Sequence, residues 1–105
     1  MQSFAIIYIF ECVSGYLDVS ISNNHNSTVT GKVEYASCSP DDYVLDYTGV
    51  FVHSRGLCLI TEINGRDENG VACTPYIFPL PGTSWWMFDI YTTNDGGCAI
   101  VTTGT

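Results

Sequence analysis

Apolar and polar residues alternate along much of this chain. Leu17, Val19 and Ile21 are separated by Asp18, Ser20 and Ser22. After a polar turn at Asn23 to Ser27, the period of two resumes through Val29, Gly31, Val33 and Tyr35. Such alternation sends successive side chains to opposite faces of a strand. Phe4–Phe10 is instead a continuous apolar run, the pattern of a central strand. Further strands are predicted at Val50–His53, Leu57–Ile63, Val71–Phe78, Trp85–Thr92 and Cys98–Thr102.

The punctuation between these runs is consistent with strands. Ser39-Pro40-Asp41-Asp42 reads as a turn, because proline fixes φ and an aspartate bonds its own backbone. Asn64-Gly65 and Asn69-Gly70 lie so close that they predict one irregular loop, Asn64–Gly70. Pro79-Leu80-Pro81-Gly82 predicts a break, and Thr93-Asn94-Asp95-Gly96-Gly97 a closing hairpin. No amphipathic helix stands out, with four alanines and a single lysine in the chain. Short strands at this spacing make an antiparallel sandwich or barrel. The expectation is an all-β fold, a single β-sandwich domain over residues 1–105 with about eight or nine short strands.

Trp85 and Trp86 are adjacent, so a strand sends their indoles to opposite faces. Trp85, Met87, Asp89 and Tyr91 share one face, and Trp86, Phe88 and Ile90 the other. The face with the acid reads as outward. Trp85 is thus the candidate for an exposed binding anchor.

Charge narrows the partners. Lys32, Arg55 and Arg66 stand against 11 acids, for a formal charge of −8. Phosphate backbones and anionic leaflets repel such a chain, so nucleic acid is a poor partner. Sugars, zwitterionic lipids and proteins stay open. No apolar stretch approaches the roughly 20 residues of a membrane span. Phe4–Phe10 is too short for a typical signal core and lacks a basic flank, so it reads as a first strand.

Five cysteines, Cys12, Cys38, Cys58, Cys73 and Cys98, are widely and irregularly spaced without a CxxC pair. That spacing argues against a zinc ribbon or a thioredoxin-like site. A reducing compartment makes them small buried hydrophobes. An oxidising one makes up to two disulfides and leaves one thiol. The absence of a visible signal segment favours free thiols.

His25 and His53, with Glu62 or Glu34 and Arg66, form a candidate acid–base set for RNA cleavage. The plainer reading is a solvated His25 in a turn and a strand His53, with Glu62 as a rim acid. Asp41-Asp42 with Asp46, and Asp67-Glu68-Asn69, offer oxygen ligands for calcium but do not match an EF-hand loop. Turn chemistry explains both, so no metal or cofactor is assigned. Asn26-Ser27-Thr28 is a glycosylation sequon, meaningful only for a secreted chain. No enzyme signature emerges. The aromatics Trp85, Trp86, Tyr91, Phe4, Tyr8, Tyr16, Tyr35 and Tyr76 are numerous, and their amphipathic rings suit lipid headgroups or sugar faces.

The order of motifs resembles the aegerolysins, small acidic β-sandwich proteins. Phe4-Ala5-Ile6-Ile7-Tyr8-Ile9 is similar to their opening strand, and Leu17–Asn23 with Gly31-Lys32-Val33 to their second strand and the Gly-Lys beyond it. Leu59-Ile60 through Asn64-Gly65-Arg66-Asp67-Glu68 resembles their Gly-Arg turn and acidic loop, and Trp86-Met87-Phe88-Asp89 their Trp-Met-apolar-acid motif. The resemblance implies recognition of sphingolipid headgroups, often as the targeting half of a two-component pore with a perforin-like partner. The expected protein is secreted without a cleaved signal segment or is cytoplasmic, is peripheral to the membrane when bound, and is a monomer or weak oligomer. By motif position it places Phe4, Trp86, Glu68 and Asp67 in the lipid site, to which strand geometry adds Trp85. The family's Trp before Gly-Lys is replaced here by Thr30.

Two other readings compete. One is a secreted, disulfide-stapled β-domain, an effector or carbohydrate-binding module. The other is a small ribonuclease or hydrolase centred on His53 and Glu62. Disulfides discriminate the first from the aegerolysin-like reading. Contact between His53 and Glu62 in a cleft is what the hydrolase requires.

Overall fold

The computed structural model describes residues 18–54, 58–82 and 86–104. The strands in them are β1 (Asp18–Asn23), β2 (Val29–Tyr35), β3 (Asp41–Leu45), β4 (Val50–Ser54), β5 (Ile60–Arg66), β6 (Tyr76–Gly82), β7 (Trp86–Thr92) and β8 (Cys98–Gly104). They form two four-stranded sheets, β4-β1-β7-β8 and β3-β2-β5-β6. The fold is the expected all-β sandwich. Every neighbouring pair is antiparallel except β1 and β7, which run parallel. The order β3-β2-β5-β6, with β1 beside β4 in the facing sheet, is that of strands C′-C-F-G and B-E in an immunoglobulin-type sandwich.

Alternation explains the core. Val19 and Ile21 of β1, Phe88 and Ile90 of β7 and Ile100 of β8 point inward from one sheet. Val29, Val33, Tyr43, Leu45, Ile60, Ile63 and Phe78 meet them from the other. Tyr76, Phe78 and Phe88 join the sheets by edge-to-face contacts, with ring centroids 5.1–5.7 Å apart. On β7 the polarity is as expected: Phe88 and Ile90 are buried, Met87 and Tyr91 exposed, and Asp89 half-buried.

Four local expectations are corrected. Asp41–Leu45 is a strand where the turn was placed, because Tyr43 and Leu45 alternate with exposed Val44 and bury against the core. Asn64-Gly65 lies within β5, which runs to Arg66, so the loop begins only at Asp67. Pro79 and Pro81 lie within β6 and do not break it. That strand is at the sheet edge, where a missing N–H costs no central ladder bond. The predicted strand Val71–Phe78 starts only at Tyr76, and Ala72 and Thr74 before it make isolated bridges to Arg66 and Ala99. The expected Phe4–Phe10 strand lies outside the described residues.

A bulge resolves the irregular hydrophobic pattern of β5. Tyr35 pairs with Ile60 and Glu34 with Glu62, leaving Thr61 as the extra residue. The inserted residue brings Ile60 and Ile63 onto one inner face, although three positions separate them.

Tyr43 crosses β2 to reach β5. Its hydroxyl donates to Asn64 O at 2.6 Å. The ring passes over Gly31, where a Cβ would sit 2.0 Å from Asn64 O and 2.7 Å from the tyrosine ring. A Cβ on Gly65 would meet the Tyr43 hydroxyl at 2.9 Å. Two glycines opposite each other therefore make the slot this tyrosine fills. Burial pushes its phenol pKa far above the usual value.

Asn23, wholly buried, ties the loops at one end of the sandwich. Its Nδ2 donates to Ser27 O and Leu45 O, both at 2.9 Å, and its Oδ1 accepts from His25 N. Its backbone N–H donates to Gly49 O, and its carbonyl accepts from Thr48 N. One residue thus serves the β1–β2 loop, the end of β3 and the β3–β4 turn.

Two disulfides correct the expectation of free thiols. Cys38–Cys58 links the β2–β3 connection to the approach to β5, and Cys73–Cys98 links the β5–β6 connection to β8. They close spans of 20 and 25 residues. Loops of this size contribute about 3 kcal/mol each through restriction of the unfolded chain.

Asn23→Ala leaves the buried Leu45 carbonyl and the partly buried Ser27 carbonyl without their donor, at a cost of about 1–3 kcal/mol each, with Ser27 at the lower end. We expect a loss of about 3 kcal/mol in denaturant unfolding of the oxidised protein. Non-reducing digestion and mass spectrometry should recover the Cys38–Cys58 and Cys73–Cys98 peptides as linked pairs. Stability should fall as pH rises past 10, the ordinary Tyr43 value, because the folded state holds the phenol proton more tightly. Tyr43→Phe should remove that contribution to the alkaline decline, read by thermal unfolding across the pH series.

Candidate functional site

The outer face of β3-β2-β5 carries a trough of ≈ 570 Å³. That volume is in the range of small-molecule sites. Strand register builds it in two rows. Lys32 lies between Asp42 on β3 and Asn64 on β5, and Thr30 lies between Val44 and Arg66. Ala72, Cys73 and Pro75 form the wall beyond β5.

The polar groups hold one another in place. Lys32 Nζ donates to Asp42 Oδ1 at 2.6 Å. Lys32 N donates to Asn64 Oδ1 at 3.0 Å. Asn64 Nδ2 donates to Glu62 Oε2 at 2.8 Å and approaches Glu34 Oε2 at 3.3 Å. Glu34 and Glu62 are directly opposite across the strands, so this amide sits between two like charges. Arg66 Nη1 donates to Gly70 O at 3.1 Å, which orients the guanidinium along the trough's end. The hydrogen bond and charge of Asp42 raise the Lys32 pKa, and Glu34 adds to the effect.

The trough presents ammonium, guanidinium, amide, hydroxyl and carboxylate groups within a few ångströms. Each is a donor, an acceptor or both. It can take a ligand rich in hydroxyls or amides with little rearrangement. Glu62 and Arg66 were candidates on sequence. So was Asp42, as a calcium ligand, whereas Lys32, Asn64 and Thr30 were not. Part of their signal is the polar half of the β2 alternation, Thr30, Lys32 and Glu34, which share one face of the strand.

The residues first suspected of lipid binding are distributed differently. Phe4 and Trp85 lie outside the described residues. Trp86 opens β7, its backbone beside Val19 near the start of β1. Asp67 and Glu68 lie beyond the other end of that strand, in the β5–β6 loop. Asp67 Oδ1 accepts from Asn69 N and Val71 N, both at 2.9 Å, and shapes the turn. Glu68 Oε2 accepts from Thr28 N at 3.0 Å, while Glu68 N donates to Ser27 Oγ at 3.2 Å. Asp67 builds the loop, and Glu68 docks it on the β1–β2 loop. The structure does not bring them together with Trp86.

The histidines are also placed apart. His25 is buried at 3% exposure, correcting its solvated assignment. Its Nδ1 lies 2.7 Å from Thr92 Oγ1, which joins the β1–β2 loop to β7. His53 is a strand residue, as expected, and stacks on Phe51. Its Nε2 lies 3.2 Å from Asp41 Oδ2, close enough for charge attraction but misaligned for a hydrogen bond. Tyr35 Oη donates to the same Asp41 oxygen at 2.5 Å. Glu62 bonds to Asn64 on the outer face of the opposite sheet, so the cleft the hydrolase reading requires does not form.

The suspected calcium acids have separate partners: Asp41 takes Tyr35, Asp42 takes Lys32 and Asp46 takes Thr28. Among the described residues, no group of three or more His, Cys, Asp or Glu could hold a metal ion. Asn26 of the sequon is exposed.

Comparisons add the fold but no function. No family model matches the chain, and no curated protein does. A solution NMR structure of a protein from Eubacterium rectale is similar, with a TM-score of 0.67 at 12% identity. The likeness covers 88% of this chain and 92% of that one. At that identity the likeness extends to the architecture alone.

The Lys32 pKa provides a check on the trough. In Asp42→Asn it should fall toward 10.5, because the largest influence raising it is gone. An NMR titration of the side-chain ammonium measures the change.

Proposed function

We propose that this chain is a disulfide-stapled extracellular binding module that takes a carbohydrate in the trough on β3-β2-β5. The observation that carries the reading is the grid of pre-paired polar side chains, Asp42–Lys32–Asn64 with Glu62, on a rigid sheet. Sugar hydroxyls donate and accept at once, and such a grid offers both functions at strand spacing, about 4.8 Å. Binding then needs little side-chain ordering, which is the usual cost of polar recognition. Two disulfides support an oxidising destination.

A lipid-recognition reading of the aegerolysin kind has one specific observation in its favour. Met87 and Tyr91 are exposed on either side of Asp89 on the outer face of β7. Rings and thioethers flanking an acid suit a zwitterionic headgroup. The grid on the other sheet is the more extensive feature, so the carbohydrate reading takes precedence.

A glycan array followed by calorimetric titration tests the choice. We expect binding to neutral glycans that falls about tenfold or more in Lys32→Ala and in Glu62→Gln, as for hydrogen bonds to charged groups. The Lys32–Asp42 pair is exposed and contributes little to folding, so unfolding midpoints should not move with Lys32→Ala. Binding to sphingolipid vesicles that Met87→Ala and Tyr91→Ala abolish, with no glycan retained on the array, would replace this reading with the lipid one.

A further inference from the structure

The strong bases of the chain are Lys32, Arg55 and Arg66, against 11 acids. Among the described residues the bases are Lys32 and Arg66, and both line the trough. Their charges are used differently. The Lys32 ammonium is met by the Asp42 carboxylate at 2.6 Å. Arg66 donates from Nη1 to the Gly70 carbonyl and forms no ion pair with a described carboxylate. The acids that follow it in sequence are committed elsewhere. Asp67 accepts from Asn69 N and Val71 N, and Glu68 Oε2 accepts from Thr28 N. Among the described residues, the Arg66 guanidinium is thus the trough's uncompensated cation, with donors still open.

Register gives this cation a companion and a direction. Thr30 lies directly opposite Arg66, with Cβ atoms about 5 Å apart, and its hydroxyl adds a donor beside the guanidinium fork. Glu62 lies further back along β5, about 13 Å from Arg66 at the rise of a strand. Glu34 stands across from it and makes that end negative. The trough is therefore polar along its length. Guanidinium stands at one end and carboxylates at the other, with the Lys32–Asp42 pair and the Asn64 amide between them.

We propose that the Arg66 end of the trough is a carboxylate subsite, and that the carbohydrate taken there carries a single acidic sugar, a uronic acid. This subsite rests on the carbohydrate reading of the trough and narrows it to a class of glycan. A planar carboxylate matches the guanidinium fork through parallel N–H···O bonds, and the Thr30 hydroxyl donates to one of its oxygens. The remaining sugar hydroxyls meet the row of Lys32, Asn64 and Glu62. The reversed pose brings the carboxylate to Glu62, so the charge gradient fixes the direction of the sugar chain along the strands. Charge also limits the number of acids. At physiological salt a charge is screened beyond about 8 Å, so one carboxylate seated at Arg66 meets mainly the guanidinium. A polyanion extends past it, over Glu62 and the surface of a chain that carries −8, and is repelled.

Calorimetric titration of the disulfide-bonded chain with matched disaccharides is the test. Cellobiose, lactose and maltose are each compared with the non-reducing C6 as the alcohol, as the carboxylate and as its methyl ester. We expect each acid to bind about tenfold or more tighter than its neutral parent, as for hydrogen bonds to charged groups. Each ester should fall back to the level of the parent, and the preference should shrink as salt is raised. Arg66→Gln should bring acid and parent to within about twofold of each other, while Arg66→Lys keeps part of the preference. The ester comparison uses the unaltered chain, so it stands whether or not the variants fold. Acid and parent binding equally well in the unaltered chain overturns the subsite and leaves the carbohydrate reading in place. An ester as tight as its acid, or a preference that survives Arg66→Gln, also overturns the subsite. No binding by any form of the disaccharides overturns the subsite and the carbohydrate reading together.

Discussion

The loops at one end of this sandwich depend on one buried amide. A neutral polar side chain is buried at low cost when each of its polar atoms finds a partner, and Asn23 meets that condition. Its two donors and its acceptor reach the β1–β2 loop twice and the end of β3 once. Its backbone holds the β3–β4 turn as well. His25, the next inward residue of that loop, extends the same network to β7 through Thr92. The ends of both sheets therefore close around a polar cluster rather than around hydrophobic packing. The other loops at this end are then built outward, with Glu68 capping Thr28 and Asp46 accepting from its hydroxyl.

This arrangement explains which acids are available for function. Asp67, Glu68 and Asp46 are used in constructing loops. Asp95 does the same in the β7–β8 hairpin, where Thr93 and Gly97 bond its carboxylate and hold its pKa low. Acids on the sheet face are in a different position. Their partners are other side chains, and a ligand can exchange for such partners without unfolding a turn. The contrast favours the trough over the loops as a recognition surface.

Much of the fold was legible in the sequence. Period-two alternation located β1, β2 and the inward row of β7, and Thr93–Gly97 marked the last hairpin. Failures occurred where tertiary context overrides local signals. Prolines read as a break in β6, yet an edge strand tolerates them. Asn64-Gly65 read as a turn, yet its glycine is there to admit Tyr43 from a strand remote in sequence. Disulfide pairing depends on which ends the fold juxtaposes, and spacing alone does not reveal that. The trough escaped because each of its side chains is an ordinary solvent-facing residue. Only lateral register brings Lys32, Asp42 and Asn64 into one row.

The parallel pairing of β1 with β7 bears on how the chain assembles. β1 is the second strand of its sheet, and its neighbour β7 is far along the chain, with Val19 in register with Trp86. As the chain leaves the ribosome, β1 and β4 can form a hairpin-like pair early, but the hydrophobic row of Val19 and Ile21 stays half covered until Phe88 and Ile90 arrive. Cys73 likewise waits for Cys98. The strands through β7, and Cys98 at the start of β8, must therefore be present before the sheet and its second covalent tie can close. The folding rate of such a topology is limited by the search for a strand distant in sequence.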